Sequence, residues 1–268
     1  LVVGLPVIRS AESEALTEAV RLQMPGSFAN TAVGVTHYEM SGPEDGEPVV
    51  LVHGFASPQY VWDKTAPALA AAGYRVIRFD LMGRGYSDRP DAVYNTSFLS
   101  QQINELVREL EIKQPINIVG YSMGGAVTAE FVTQYPTQVG KVAFIAPFSK
   151  AKPIGPLDKP VIGDWLAKVV LAPGMPGRQE LNFAEPEKFP EAADQFREQM
   201  KFKGFTKAIH SSLKTIIAKD HIDKYWQLSA LNKPTLLIWG EQDGILPFEE
   251  SSGVRDVLGK HVFLSLPG

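Results

Sequence analysis

The sequence predicts an α/β protein, a mostly parallel, doubly wound sheet carrying a helical insertion. Three observations lead there. Short, nearly all-apolar runs alternate with helical patterns as far as Ile145, which is the rhythm of β-α-β units. Those runs end in turns of glycine and polar residues, at His53-Gly54, at Asp80 to Asp88 and at Gly120 to Gly124. From Pro147 to Asn232 the strand signal stops and prolines punctuate short helical pieces, before a strand pattern resumes at Pro234.

Size and composition fit one such domain. A chain of 268 residues has room for a sizeable core and an insertion. The formal net charge is -4 and the lysines and arginines are scattered, so there is no electrostatic footprint for nucleic acid. Cysteine is absent, which excludes disulfides, thiolate metal sites and a cysteine nucleophile together. No run reaches the ~18 apolar residues of a spanning helix. The apolar start, Leu1 to Ile8, reads either as the remnant of a signal peptide or membrane anchor, or as a short arm packed on the domain.

In chain order, Ser10 to Gln23 places Ala11, Ala15, Ala19 and Leu22 at helical spacing and stops at Met24-Pro25-Gly26. Ala32 to Met40 alternates as a strand, and Ser41 to Gly46 reads as a hairpin-type turn. Pro48 to Val52 is almost wholly apolar, as expected of a strand buried on both faces. Gln59 to Ala72 is an alanine-rich helix closed by Gly73, Tyr74 to Asp80 the next strand, and Ser97 to Leu110 an amphipathic helix. The strand into Ser122, the helix Ala126 to Gln134 and the strand Lys141 to Ile145 follow. Residues 148–232 are expected to form a helical lid with helices at Asp164 to Leu171, Ala192 to Met200 and Thr206 to Ala218, because so long a loop without structure of its own is improbable. Pro234 to Gly240, a helix near Glu249 to Leu258 and the strand His261 to Leu266 complete the sheet. The division is therefore 1–26 as arm and helix, 27–147 with 233–268 as core, and 148–232 as lid.

The chemistry gathers at Gly120-Tyr121-Ser122-Met123-Gly124. An apolar strand that breaks at glycine, serine and glycine before becoming a helix exposes the hydroxyl at the strand's carboxyl end, and the flanking positions come too close for a Cβ. The alternative for Ser122 is an ordinary strand-to-helix turn. Four motifs occur in order: His53-Gly54-Phe55, Asp80-Leu81-Met82-Gly83-Arg84-Gly85-Tyr86-Ser87, the serine turn, and Trp239-Gly240-Glu241-Gln242-Asp243. Together they resemble the α/β-hydrolase fold superfamily, and within it the lidded esterases and monoacylglycerol lipases, from about Ser27 onward.

That resemblance implies a serine carboxylester hydrolase working through an acyl-enzyme, without metal or cofactor. Ser122 would be the nucleophile, with Gly120 and Gly124 as its elbow glycines. The backbone amides of Phe55 and Met123 would form the oxyanion hole, although Phe55 also suits simple packing at the pocket mouth. His53 is expected to support its turn rather than act as base. Asp243 would be the acid that orients a histidine, with Glu241 as competitor and a plain turn as the bland alternative. Asp80, Arg84 and Asp88 read as structural, ion-paired or capping residues. The family places its histidine after the last strand, and the expectation is a histidine just beyond Gly268; the alternatives are a protein that lacks one and a substitute from the lid. Other serine-elbow chemistry, such as peroxidase-like, carbon-carbon bond or aminopeptidase activity, and a non-catalytic binding module remain open.

The expected partner is a small ester with an apolar acyl group, under a lid rich in Trp165, Leu166, Val169, Val170, Phe183, Phe189, Phe196, Met200, Phe202 and Phe205, most of which also suit packing of the lid helices on one another and on the sheet. Association with a lipid surface, and an extracytoplasmic or anchored location, would come through the N-terminal segment; without it the location would be cytoplasmic.

Overall fold

The computed structural model describes residues 11–179, 185, 187 and 189–267; the apolar Leu1 to Ile8 stretch, Phe183 and Gly268 lie outside them. The strands are β1 (Ser27–Thr31), β2 (Gly34–Ser41), β3 (Glu47–Val52), β4 (Tyr74–Phe79), β5 (Ile116–Tyr121), β6 (Val139–Ile145), β7 (Thr235–Gly240) and β8 (Val262–Leu266). They form one sheet in the order β1-β2-β4-β3-β5-β6-β7-β8, antiparallel from β1 to β4 across β2 and parallel from β4 onward. The connection after β3 leads to one side and the connection after β5 to the other. The crevice between those two strand ends is the place where an open α/β sheet receives a ligand.

β3 is central because of its composition. Its residues from Pro48 to Val52 are all buried, with Val50 and Val52 in the core on one face of the sheet and Val49 and Leu51 in a second cluster on the other. The larger cluster is covered by α3 (Thr96–Glu109) and α4 (Met123–Gln134), and the smaller one by α2 (Thr65–Ala71). α3 is a clear amphipathic helix that buries Leu99, Ile103, Leu106 and Val107, and Asn95 caps it through the amide of Phe98.

The structure corrects several expectations. β2 and β3 form no hairpin, because β4 lies between them and pairs with both. A strand as apolar as β3 gains most where both edges and both faces are covered, whereas the more polar β2 suits the antiparallel flank. β1 has no counterpart in the sequence reading; it pairs with β2 from Ser27↔Tyr38 to Thr31↔Gly34. The expected helix from Ser10 shrinks to α1 (Glu18–Arg21). The residues before it run extended: Ser13 and Glu14 donate to Lys201 O, and the Glu12 carboxylate accepts from the amides of Gly204 and Thr206. Those contacts use the backbone groups a helix would have needed, and they put an anion on the N-terminus of a later helix.

Between β6 and β7 lie α5 (Ile162–Leu166), continued by a π-helical turn at Ala167–Leu171, then α6 (Ala192–Met200), α7 (Phe205–Ser212), continued by a second π turn at Leu213–Ile217, and α8 (Ile222–Ser229). α8 went unforeseen. Ala172, Met175, Phe196, Met200, Phe205 and Ile209 form a cluster of their own, whereas Ile216, Tyr225 and Leu228 join the core of the sheet. α9 (Ser251–Val257) precedes β8.

Candidate active site

Ser122 follows β5 with φ 52° and ψ -123°, a backbone region that L-residues rarely occupy. Three hydrogen bonds hold it there: its amide donates to Ile145 O at 3.0 Å, and its carbonyl accepts from Gly125 at 2.8 Å and Phe148 at 2.9 Å. The neighbouring glycines are required by contact. A Cβ on Gly120 would stand 2.5 Å from Thr128 Oγ1 and 2.6 Å from Gly124 O, and one on Gly124 would stand 2.4 Å from both Val52 O and His53 O. Apart from Thr128 Oγ1 these are backbone obstacles, so the turn cannot relax around a side chain. Gly125, which belongs to the same sequence motif but was given no role of its own, is equally constrained, since its Cβ would meet Pro147 Cβ at 2.4 Å. A second glycine in the first turn of a helix costs about 1 kcal/mol against alanine, and that cost was the readable signal.

The loop after β3 abuts this turn, for a Cβ on Gly54 would lie 3.3 Å from Ser122 Cβ. Met123 is the first residue of α4, so its amide has no intrahelical acceptor. Neither that amide nor the amide of Phe55 meets an acceptor among the described residues. One N–H without an acceptor thus follows the strained serine directly, and another lies in the loop that abuts its turn.

The loop is held by His53 at its start and by side chains from the loop after β4. His53 is fully buried; its Nδ1 lies 2.9 Å from Gly54 O and its Nε2 accepts from the Leu81 amide at 2.8 Å. Burial lowers its pKa to about 4, so the ring is neutral, with Nδ1–H donating. Both nitrogens are engaged, and His53 supports its turn. Arg84, also fully buried, donates from Nε to Phe55 O at 2.9 Å and from Nη1 to Met82 O at 3.1 Å. The expected ion pairing does not extend to Arg84, which binds carbonyls; burial lowers its pKa to about 9. Asp80 does pair, with His37 Nδ1 at 2.7 Å, and also accepts from the amides of Gln59 and Tyr86. Burial alone would raise the Asp80 pKa and lower that of His37, but their mutual hydrogen bond and charge reverse both shifts. Asp88 binds Arg21 and the Val35 amide.

Asp243 follows β7. Its Oδ1 accepts from the amides of Ile245 and Leu246, each at 2.9 Å, which closes the turn. The Tyr121 hydroxyl is pushed up by burial and by the charge of Asp243, so this carboxylate acts on the residue before Ser122. Glu241 is exposed, and its amide donates to Leu266 O at 2.9 Å. β8 therefore delivers the chain beside the Asp243 turn. The five histidines are engaged elsewhere. His210 binds Asp164 and Leu157 O, His221 binds Ile216 O, and His261 binds Gly259 O beside a groove of about 880 Å³ at the amino ends of β6 to β8. Among the described residues, none is hydrogen-bonded to Ser122 or Asp243.

Comparison with known proteins points to one fold family. The family model described as alpha/beta hydrolase fold matches residues 47–256. A putative non-heme chloroperoxidase of Synechocystis sp. is 33% identical over 119 residues, 44% of this chain and 42% of that protein, so the match spans less than half of that relative's length. Lipase 1 of Psychrobacter immobilis is 24% identical over 225 residues, covering 82% of this chain and 70% of the lipase. A thermophilic esterase from Thermogutta terrifontis superposes with a TM-score of 0.74 at 22% identity, covering 91% of this chain and 90% of the esterase.

Proposed function

This chain belongs to the alpha/beta hydrolase fold family, and on that premise we propose that it is a serine hydrolase of carboxylic esters with an apolar acyl group. Ser122 Oγ attacks the ester carbonyl, and the amides of Phe55 and Met123 receive the oxyanion. A histidine following β8, oriented by Asp243, takes the serine proton and passes it to the leaving alcohol. Water, activated by the same histidine, then releases the acid and restores the serine.

The observation that carries this reading is the backbone of Ser122. A positive φ at a non-glycine residue, walled in by glycines and followed directly by an amide without an acceptor, is strain kept at the one position that a nucleophile needs. The place of Asp243 and of β8's end beside Glu241 supports the role given to the acid and to the base after it. The helices between β6 and β7 supply the roof for an acyl chain in this reading.

The test uses the full-length protein. A fluorophosphonate probe labels the wild type and leaves Ser122→Ala unlabelled, and hydrolysis of nitrophenyl esters falls by about a millionfold toward the uncatalysed rate. A protein that takes no label and turns over no ester ends this proposal. A second reading, peroxidase-like chemistry with hydrogen peroxide replacing water in the last step, rests on the 33% identical relative; it predicts peracid formation from an acyl donor and peroxide.

A further inference from the structure

The loop from Gly54 to Ser57 is anchored residue by residue through side chains, and the anchors come from two directions. From the sheet side, His53 holds Gly54 O and Arg84 holds Phe55 O. From the other side, Gln199 on α6 donates from Nε2 to Ala56 O at 2.9 Å, and Gln179 accepts from Ser57 Oγ at 3.1 Å. Gln199 is only 2% exposed and both ends of its amide are engaged, since Oε1 also accepts from the Gly85 amide at 3.0 Å. Its own carbonyl accepts from Arg89 Nη2 at 3.3 Å. One buried side chain on a helix between β6 and β7 therefore joins the loop after β3 to the loop after β4.

We infer that Gln199 is a positioning residue that makes the geometry of the Phe55 amide depend on the seating of the helical insertion. The inference rests on the hydrolase reading for its kinetic consequence but not for its structural one. The Phe55 N–H shares its peptide plane with Gly54 O, which His53 holds; Phe55 O and Ala56 O lie on the next two peptides, and fixing both braces the other end of the loop, so that this plane does not swing away from Ser122 about a single anchor. Arg84 alone leaves Ala56 free to rotate. When α6 moves, the bond to Ala56 O breaks and the loop loses its second anchor. An oxyanion donor is sensitive to such slack, because a displacement of about 1 Å costs on the order of a hundredfold in rate. The inserted helices thereby act on the chemistry as well as covering it, and catalysis is fast only with α6 in place.

Two substitutions separate the bonds. Gln199→Leu keeps the volume and removes both links; Gln199→Glu keeps an acceptor for the Gly85 amide and sets a carboxylate against Ala56 O. Hydrogen exchange of the peptide spanning residues 53–58 is expected to quicken in both variants, with α4 and β5 unchanged. For ester hydrolysis, kcat is expected to fall about tenfold to a hundredfold with little change in KM, and affinity for a boronic acid that forms a tetrahedral adduct falls in step with kcat/KM. Should the buried carboxylate prevent folding, Gln199→Leu carries the test alone. Loop exchange and kcat both at wild-type levels in a folded Gln199→Leu protein would overturn the inference. If the wild type itself proves inactive and unlabelled, the hydrolase reading fails, and the exchange measurement still decides whether Gln199 holds the loop.

Discussion

At the scale of single residues, the buried imidazoles of His37 and His53 are opposite cases with opposite consequences for pH. His53 has a folded pKa of about 4, below the ordinary 6.5, so below pH 6.5 the unfolded chain binds a proton that the native protein does not. Its contribution to stability is present above 6.5 and declines as the pH falls toward 4, by about 3 kcal/mol over that window. His37 beside Asp80 has a raised pKa, so its contribution is complete below 6.5 and is lost as the pH rises through its folded value. Urea unfolding from pH 4 to pH 8 is expected to show greatest stability near pH 6.5. A flat profile between 4 and 6.5 would contradict the neutral, fully bonded imidazole at His53. The serine turn was readable residue by residue, because Gly120, Ser122 and Gly124 stand at fixed spacing in one short stretch. The holders of the loop after β3 were not, because Arg84 and Gln199 are 29 and 143 residues from the carbonyls they bind.

At the scale of elements, the least expected piece is α8. It packs against α4, and its Tyr225 donates from the hydroxyl to Phe148 O at 2.8 Å, while the Phe148 amide in turn donates to Ser122 O. The Tyr225 ring is fully buried and meets Phe144 edge-on at 5.2 Å between centroids. Tyr225→Phe keeps that packing and removes one hydrogen bond, leaving a carbonyl without this donor. The expected cost is about 1–2 kcal/mol in denaturant unfolding, together with a lower kcat, since the segment that carries Phe148 also braces the serine turn. Unchanged stability would mean that the bond contributes nothing net. Strand identity was legible for β3 to β8 because an apolar run of five or six residues between turn signals has few other readings. Strand partners were not. Whether β2 pairs with β3 or with β4 depends on which edges the rest of the sheet leaves open, and no local pattern encodes that.

At the scale of the whole molecule, the sheet and the helices between β6 and β7 meet over the Phe55 loop, and Phe55 packs against both the main core and the separate cluster built on Phe196 and Phe205. Under the proposed ester hydrolysis, an apolar cluster packed against Phe55 suits acyl chains of medium length. A panel of nitrophenyl esters is expected to show kcat/KM rising from acetate to a medium chain and then falling, whereas a monotonic decline from acetate would argue against an acyl roof. The family was legible from four short motifs because each marks a backbone constraint, a tight turn or close approach that few residue types satisfy. Those same constraints let the amino-acid sequence determine by itself the class of fold, the serine turn and the carboxyl edge where both lie. Tertiary structure alone decided that β4 separates β2 from β3, that the residues before α1 cap a helix near Gly204 instead of forming one, and that Gln199 reaches Ala56 O. Each of these is a contact between segments far apart in the chain. Its energy depends on which groups folding has left unpaired at that point in space, and local residue patterns carry no record of that.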